Sequence, residues 1–142
     1  MVTLRAINHM NQEKVPTPVV LVVDDEALIR WSLSEGLTEF GYVVRVAGTA
    51  AEARDALASA RHESLVVVLD LRLPDMADLT LLRDIRAARP DVPVIVMTAY
   101  GTAEDAKQAR SLGVSRFIGK PFDVGEMVQM VGDAWTARSA NA

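Results

Sequence analysis

Cysteine is missing from this chain altogether. That one absence removes disulfide staples, thiolate metal sites and cysteine nucleophiles together, while saying little about compartment. Long apolar runs are missing too: no stretch approaches the ~18 consecutive apolar residues of a membrane span. Met1 to Lys14 is polar and mixed, with no apolar core of the kind a secretory leader needs, so a cytoplasmic protein is expected. An excess of basic residues is also absent. The formal net charge is −4, and Lys and Arg are scattered among acids. Holding a phosphate backbone requires them clustered, so direct nucleic-acid binding is not expected. There are no internal repeats and no low-complexity tracts.

What the chain does have is apolar residues, 50% of its 142. That length fits one domain, and that composition supplies a packed core. Val15-Pro16-Thr17-Pro18 places two prolines one residue apart, which disfavours regular structure, so residues 1–17 are expected to form a flexible lead-in. From there the pattern alternates. Val19 to Val23 is a near-continuous apolar run, the mark of a strand buried on both faces, and Val43 to Ala47, Leu65 to Leu69, Val92 to Met97 and Phe117-Ile118 are the further short strands. Between them lie helical stretches. Ala27 to Phe40 has Ile29, Leu33, Leu37 and Phe40 at helical spacing, with Gly41 where a left-handed stop belongs. Thr49 to Ala60 opens on a capping box, Thr49 with Glu52 three residues on. Further helices are expected from about Leu79 to Arg89, from about Thr102 to Leu112, and from about Asp123 onward. Strands alternating with helices imply βαβ units and a parallel sheet covered on both faces.

In such a sheet ligands sit at the carboxyl ends of the strands, near the switch in strand order. The polar residues of interest fall at those ends: Asp24 and Asp25, Asp70, Thr98, and Lys120 followed by Pro121. A lone acid ending a strand is ordinarily a cap or loop residue, and Asp24-Asp25-Glu26 taken alone is ordinarily a helix N-terminus complementing the dipole. The conjunction at different strand ends is what argues for chemistry. Three carboxylates crowded together repel unless a cation intervenes, and Mg²⁺ suits a set of carboxylate oxygens, waters and phosphate oxygens. A carboxylate beside such an ion can attack phosphorus and form an acyl phosphate, with the ion and a lysine neutralising the transferring group.

The motifs Val22-Val23-Asp24-Asp25-Glu26, Leu69-Asp70-Leu71-Arg72-Leu73-Pro74-Asp75-Met76, Val96-Met97-Thr98-Ala99-Tyr100-Gly101 and Lys120-Pro121-Phe122 stand in the order found in bacterial two-component receiver domains. The chain resembles that family from about Val19 to Arg138, most closely the receivers of NtrC-type activators. The resemblance implies a flavodoxin-like (βα)5 fold, a doubly wound parallel five-stranded sheet in strand order 2-1-3-4-5. It makes residues 18–138 the receiver and 139–142 a tail. Asp70 would be the phosphoacceptor. Asp25 would ligate Mg²⁺ directly, Asp24 largely through water, and the Arg72 backbone carbonyl would add an oxygen. Lys120 would pair with the phosphoryl group, and the Lys120-Pro121 bond would be cis. Thr98 would reach the phosphoryl oxygen after modification, and Phe117 would be the switch aromatic. Implied partners are a sensor histidine kinase or phosphotransfer protein, with a homodimer on phosphorylation, through repacking of the face formed by the fourth helix, fifth strand and fifth helix. The chain is either a stand-alone receiver or part of a longer regulator.

Two departures stand out. Ala77-Asp78 occupies a place where the family usually has Asp-Gly, and Phe117 lacks the tyrosine hydroxyl of many relatives. On the last helix Met127, Val128, Val131 and Ala134 or Trp135 form a core stripe that Gly125 and Gly132 each weaken by about 1 kcal/mol. Met130 falls off that stripe and is the candidate for partner contact, as is Trp31 on the first helix. His9 and His62 lie too far apart in the chain to suggest a metal pair. Three rival readings differ in kind. An aspartyl phosphatase of the haloacid dehalogenase type needs an acid two residues after its nucleophile, where this chain has Arg72. A flavin carrier needs a Ser/Thr/Gly-rich loop after the first strand, where Asp24-Asp25-Glu26 would repel the cofactor phosphate. A binding module that works without phosphorylation shares every feature except the chemistry.

Overall fold

Each apolar run becomes a strand and each amphipathic stretch a helix. The protein is described here from a computed structural model, which describes residues 17–76, 79–99 and 103–141. In chain order the elements are β1 (Val19–Val23), α1 (Ala27–Glu39), β2 (Val43–Ala47), α2 (Ala50–Ser59), β3 (Leu65–Asp70), α3 (Thr80–Ala88), β4 (Val94–Thr98), α4 (Ala103–Ser111), β5 (Arg116–Gly119) and α5 (Val124–Asn141). The strands form one parallel sheet in the order β2-β1-β3-β4-β5. The expected 2-1-3-4-5 order and flavodoxin-like fold class are therefore found. The readings that fall on Met1 to Pro16, Ala77-Asp78 and Tyr100 to Thr102 lie outside the described residues.

Side chains alternate across a strand, so each strand feeds two cores. Leu21, Val23, Val67, Leu69, Val94 and Val96 face one cluster, shared with Ala53, Leu81, Leu82, Ile85 and Ala109. Val20, Val22, Val66, Val68, Ile95 and Met97 face the other, shared with Leu33 and Leu37 of α1 and Met127 and Val131 of α5. The helices close as the sequence directs. Gly41 adopts φ +95°, and the N–H groups of Gly41 and Tyr42 return to the Thr38 and Leu37 carbonyls, a left-handed Schellman stop. Thr49 Oγ1 accepts from the Glu52 N–H at 3.0 Å, while Glu52 Oε1 reaches back to the Gly48 N–H at 3.1 Å.

Three expectations are corrected. Phe40 does not join the apolar face of α1: it caps the helix with 71% of its surface exposed, because the chain has already turned toward Gly41. β4 starts at Val94, not Val92, since Pro93 has no N–H to offer the ladder, although its carbonyl accepts from Val67 N–H at 3.0 Å. Met130 is buried, 6% exposed, in the same cluster as Met127 and Val131. α5 packs against both the sheet and α1, so its buried face is wider than a single stripe. That contact is close: a Cβ on Gly36 of α1 would collide with Val124 Cγ1. Among the described residues no helix is long and apolar enough to cross a membrane.

Candidate functional site

The strand order reverses between β1 and β3, and their carboxyl ends open a crevice there. Asp24 follows β1 directly, its N–H still on the ladder to the Ala47 carbonyl at 3.0 Å. Asp70 is the last residue of β3, in register with Met97. Lys120 follows β5, its N–H donating to the Thr98 carbonyl at 2.9 Å, and the Lys120-Pro121 peptide is cis, as expected. Backbone hydrogen bonding thus delivers two aspartates, a threonine and a lysine from distant parts of the chain to the carboxyl end of the sheet.

Their side chains meet there. Carboxylate oxygens of Asp24, Asp25 and Asp70 lie within 4.8 Å of one another. The Lys120 ammonium sits 2.6 Å from Asp24 Oδ2, 2.9 Å from Asp70 Oδ2 and 3.4 Å from Glu26 Oε1. Asp24 is fully buried and Asp70 nearly so, whereas Asp25 is exposed. The other carboxylate oxygens orient the turns around them: Asp24 Oδ1 accepts from the Glu26 N–H at 2.8 Å, and Asp70 Oδ1 from the Arg72 N–H at 2.9 Å. Burial pushes the Asp24 carboxyl above its usual range, against the partial offset of the Lys120 ammonium. Burial also works against the charged form of Lys120, but Asp24 and Asp70 outweigh it and hold the ammonium well above the usual lysine range.

One ammonium does not balance these acids. Asp24 Oδ2 is buried and, among the described residues, has no well-directed hydrogen bond, its contact with Lys120 being an ion pair of poor angle. Exposed Asp25 completes a set of hard oxygen ligands open on the solvent side. The cluster is capable of holding a divalent metal ion, and Mg²⁺ fits its donor chemistry.

Thr98 ends β4, half-buried and paired with Gly119, while Phe117 pairs with Val96 one pleat away. Phe117 is half-buried against the cluster that holds Val96 and Ala109. Sequence reasoning missed three supporting residues. Glu26 adds a further acid beside Lys120, and Arg30 Nη1 donates to the Asp24 carbonyl at 2.8 Å. Asp75 accepts from the Ala50 and Ala51 N–H groups at 2.8 and 3.0 Å, which ties the loop after Asp70 to the start of α2. Glu26 had a signal in its adjacency to Asp25, and Asp75 stood within the Leu69 to Met76 motif without its contact to α2 being readable there.

The family model described as the response regulator receiver domain matches residues 20–132. The chain is 38% identical over 113 residues to the DNA-binding transcriptional regulator NtrC of Escherichia coli, across 80% of this chain and 24% of that protein. It is 37% identical over 110 residues to the probable transcriptional regulatory protein TcrX of Mycobacterium tuberculosis, across 77% of this chain and 46% of that protein. The chain thus spans about a quarter of the NtrC relative and under half of the other. Among solved structures, the receiver domain of NtrX from Brucella abortus superposes with a TM-score of 0.74 at 31% identity, covering 82% of this chain and 98% of that one. A CheY-like receiver domain protein from Methanospirillum hungatei gives 0.81 at 26% identity, covering 89% and 100%.

Proposed function

Because this chain belongs to the response regulator receiver domain family, a phospho-aspartate signalling switch, we propose that Asp70 is its phosphoacceptor and Lys120 and Thr98 its phosphoryl partners. The observation that supports this most directly is the meeting of three carboxylates within 4.8 Å with a lysine ammonium at 2.6 and 2.9 Å. An Asp70 oxygen attacks the phosphorus of a phosphohistidine on a sensor kinase or phosphotransfer protein. The O–P bond forms as the P–N bond breaks, and the imidazole leaves with the electron pair and takes up a proton. Lys120 is already beside that oxygen and shifts its pairing from the carboxylate to the phosphoryl group. Mg²⁺ held by Asp24, Asp25, Asp70 and the Arg72 carbonyl supplies further neutralisation of the transferring charge when bound.

The product carries nearly two extra negative charges at the end of β3. The Thr98 hydroxyl donates to a phosphoryl oxygen, and Phe117, on the same face of the sheet, moves into the space released. The α4–β5–α5 face repacks and its affinity for partners changes, a two-state element biased by a local charge. Docking of the donor fits the side of the site where Leu28 and Trp31 stand 71% and 62% exposed, beside a cavity of about 180 Å³ lined by Ile29, Pro121 and Phe122. We place this activity in the cytoplasm, with residues 18–138 as the working unit.

Incubation with Mg²⁺ and acetyl phosphate followed by intact mass measurement tests the assignment. The wild type gains one phosphoryl group and Asp70→Asn gains none. A gain unaffected by Asp70→Asn, or no gain at all, overturns it. Light scattering with beryllofluoride tests the accompanying homodimer, and an unchanged mass counts against it.

A further inference from the structure

The phosphoryl chemistry makes no use of Arg110. This residue is exposed on α4, and its guanidinium carbon lies 5.5 Å from the centre of the Phe117 ring. Among the described residues its side chain has no carboxylate partner and no hydrogen bond, so the aromatic face is its one specific contact. The register of β4 and β5 puts Phe117 beside Val96, and Thr98 beside Gly119. Side chains two residues apart on a strand share a face, so Phe117 and Thr98 project from the same side of the sheet, one pleat apart.

A phenylalanine ring has no hydroxyl with which to fix its position. Its polar handle is the negative face of the π-system, and that face is what a guanidinium recognises. We propose that Arg110 is a latch on Phe117: it holds the ring in the resting position and thereby sets how readily the switch turns over. The proposal rests on the reading of Phe117 as the switch aromatic and adds the residue that regulates it. When the ring moves toward Thr98 it leaves the guanidinium behind. The contact exists in one state of a two-state equilibrium and not in the other, so it biases that equilibrium toward rest. A cation–π contact at an exposed site is worth a shift of about two- to fivefold.

Arg110→Met keeps the length and apolar stem of the side chain but removes its charge, whereas Arg110→Lys keeps a cation. In the unmodified protein without magnesium, the NMR signals of a labelled Phe117 ring should move when Arg110→Met is introduced, and much less with Arg110→Lys. In a titration with beryllofluoride and Mg²⁺, Arg110→Met should tighten the apparent affinity about two- to fivefold. The same substitution should have no effect on affinity in a Phe117→Leu background. Unmoved ring signals, or an affinity change that persists without the ring, overturn the latch. If wild type takes up beryllofluoride and Arg110→Met behaves identically, the latch fails while Asp70 stands as the phosphoacceptor. If wild type takes up none, the phosphoacceptor reading fails, and the ring signals of the resting protein still decide whether Arg110 holds Phe117.

Discussion

Asp24 and Asp70 are buried against Lys120, whereas Asp25 is exposed, so the three carboxylates of the cluster contribute differently to folding. Removing either buried acid changes the pairing of the Lys120 ammonium in a low-dielectric site and so alters stability whatever the metal does. Asp25→Ala removes an exposed side chain, and without divalent ions its urea stability should lie within about 0.5 kcal/mol of wild type. Magnesium at a hundredfold excess over its dissociation constant should stabilise the wild type by about 2.7 kcal/mol, since it binds the folded state alone. Asp25→Ala should lose most of that gain. Paired urea titrations with and without magnesium chloride check this, and a variant that keeps the whole gain removes Asp25 from the ligand set. The same contrast explains what could be read in the sequence. Asp24, Asp70, Thr98 and Lys120 were legible because each interrupts or ends an apolar run where a parallel sheet places ligands. Arg30, Asp75 and Arg110 were not, because each is defined by a partner that only the fold brings near. Asp75 caps a helix 25 residues before it in the chain, and no local pattern records that.

At the scale of elements, α1 and α5 approach so closely at Gly36 that one added methyl group meets Val124. Gly36→Ala improves intrinsic helix propensity by about 1 kcal/mol, yet overpacking of this kind costs about 1–3 kcal/mol. The net expectation is destabilisation, relieved in the Gly36→Ala/Val124→Ala double variant, where the propensity gain remains and the collision is gone. Thermal melts of the two variants decide between packing and propensity. The Asp75 cap yields a prediction with a pH signature. Its hydrogen bonds from Ala50 and Ala51 hold its carboxyl below the usual range. A carboxylate depressed in the folded state stabilises at neutral pH, and that contribution disappears as pH falls through its folded value. Asp75→Ala should therefore show a stability deficit at neutral pH that shrinks toward zero as pH falls below the ordinary aspartate range, read from urea midpoints. A deficit that stays constant into acid would assign the loss to packing. Among the elements, β1 and β3 were legible to within a residue because strands buried on both faces tolerate nothing but apolar residues. Met130 was misread because periodicity finds one buried face, and α5 buries against two neighbours at once.

Across the whole molecule the burial is uneven, and the unevenness follows the proposed switch. β3 is buried at every residue, and α3 contributes Leu81, Leu82 and Ile85 to the core. α4 contributes Ala109 alone, and β5 only Ile118. Burying a leucine or isoleucine contributes about 1.5–3 kcal/mol and a single methyl-sized group about 0.8 kcal/mol, so α4 is held several kcal/mol less firmly than α3. Local opening should be graded accordingly. In native-state hydrogen exchange, amides from Lys107 to Ser111 should exchange through local opening, well below the global unfolding free energy. Amides from Val66 to Leu69 should exchange only through global unfolding. Beryllofluoride with magnesium should raise protection in α4 and β5 far more than in β2 or α1, because repacking of a loosely held edge is the cheapest response to a new charge at the end of β3. Uniform protection across the sheet, or a gain confined to β1 and α1, would place the responsive element on the other side of the molecule. The distribution matters for function because a receiver must keep its acidic site rigid while one face changes. Here the rigid part is the doubly buried centre that positions Asp24 and Asp70, and the adaptable part is the edge that carries Phe117 and Arg110.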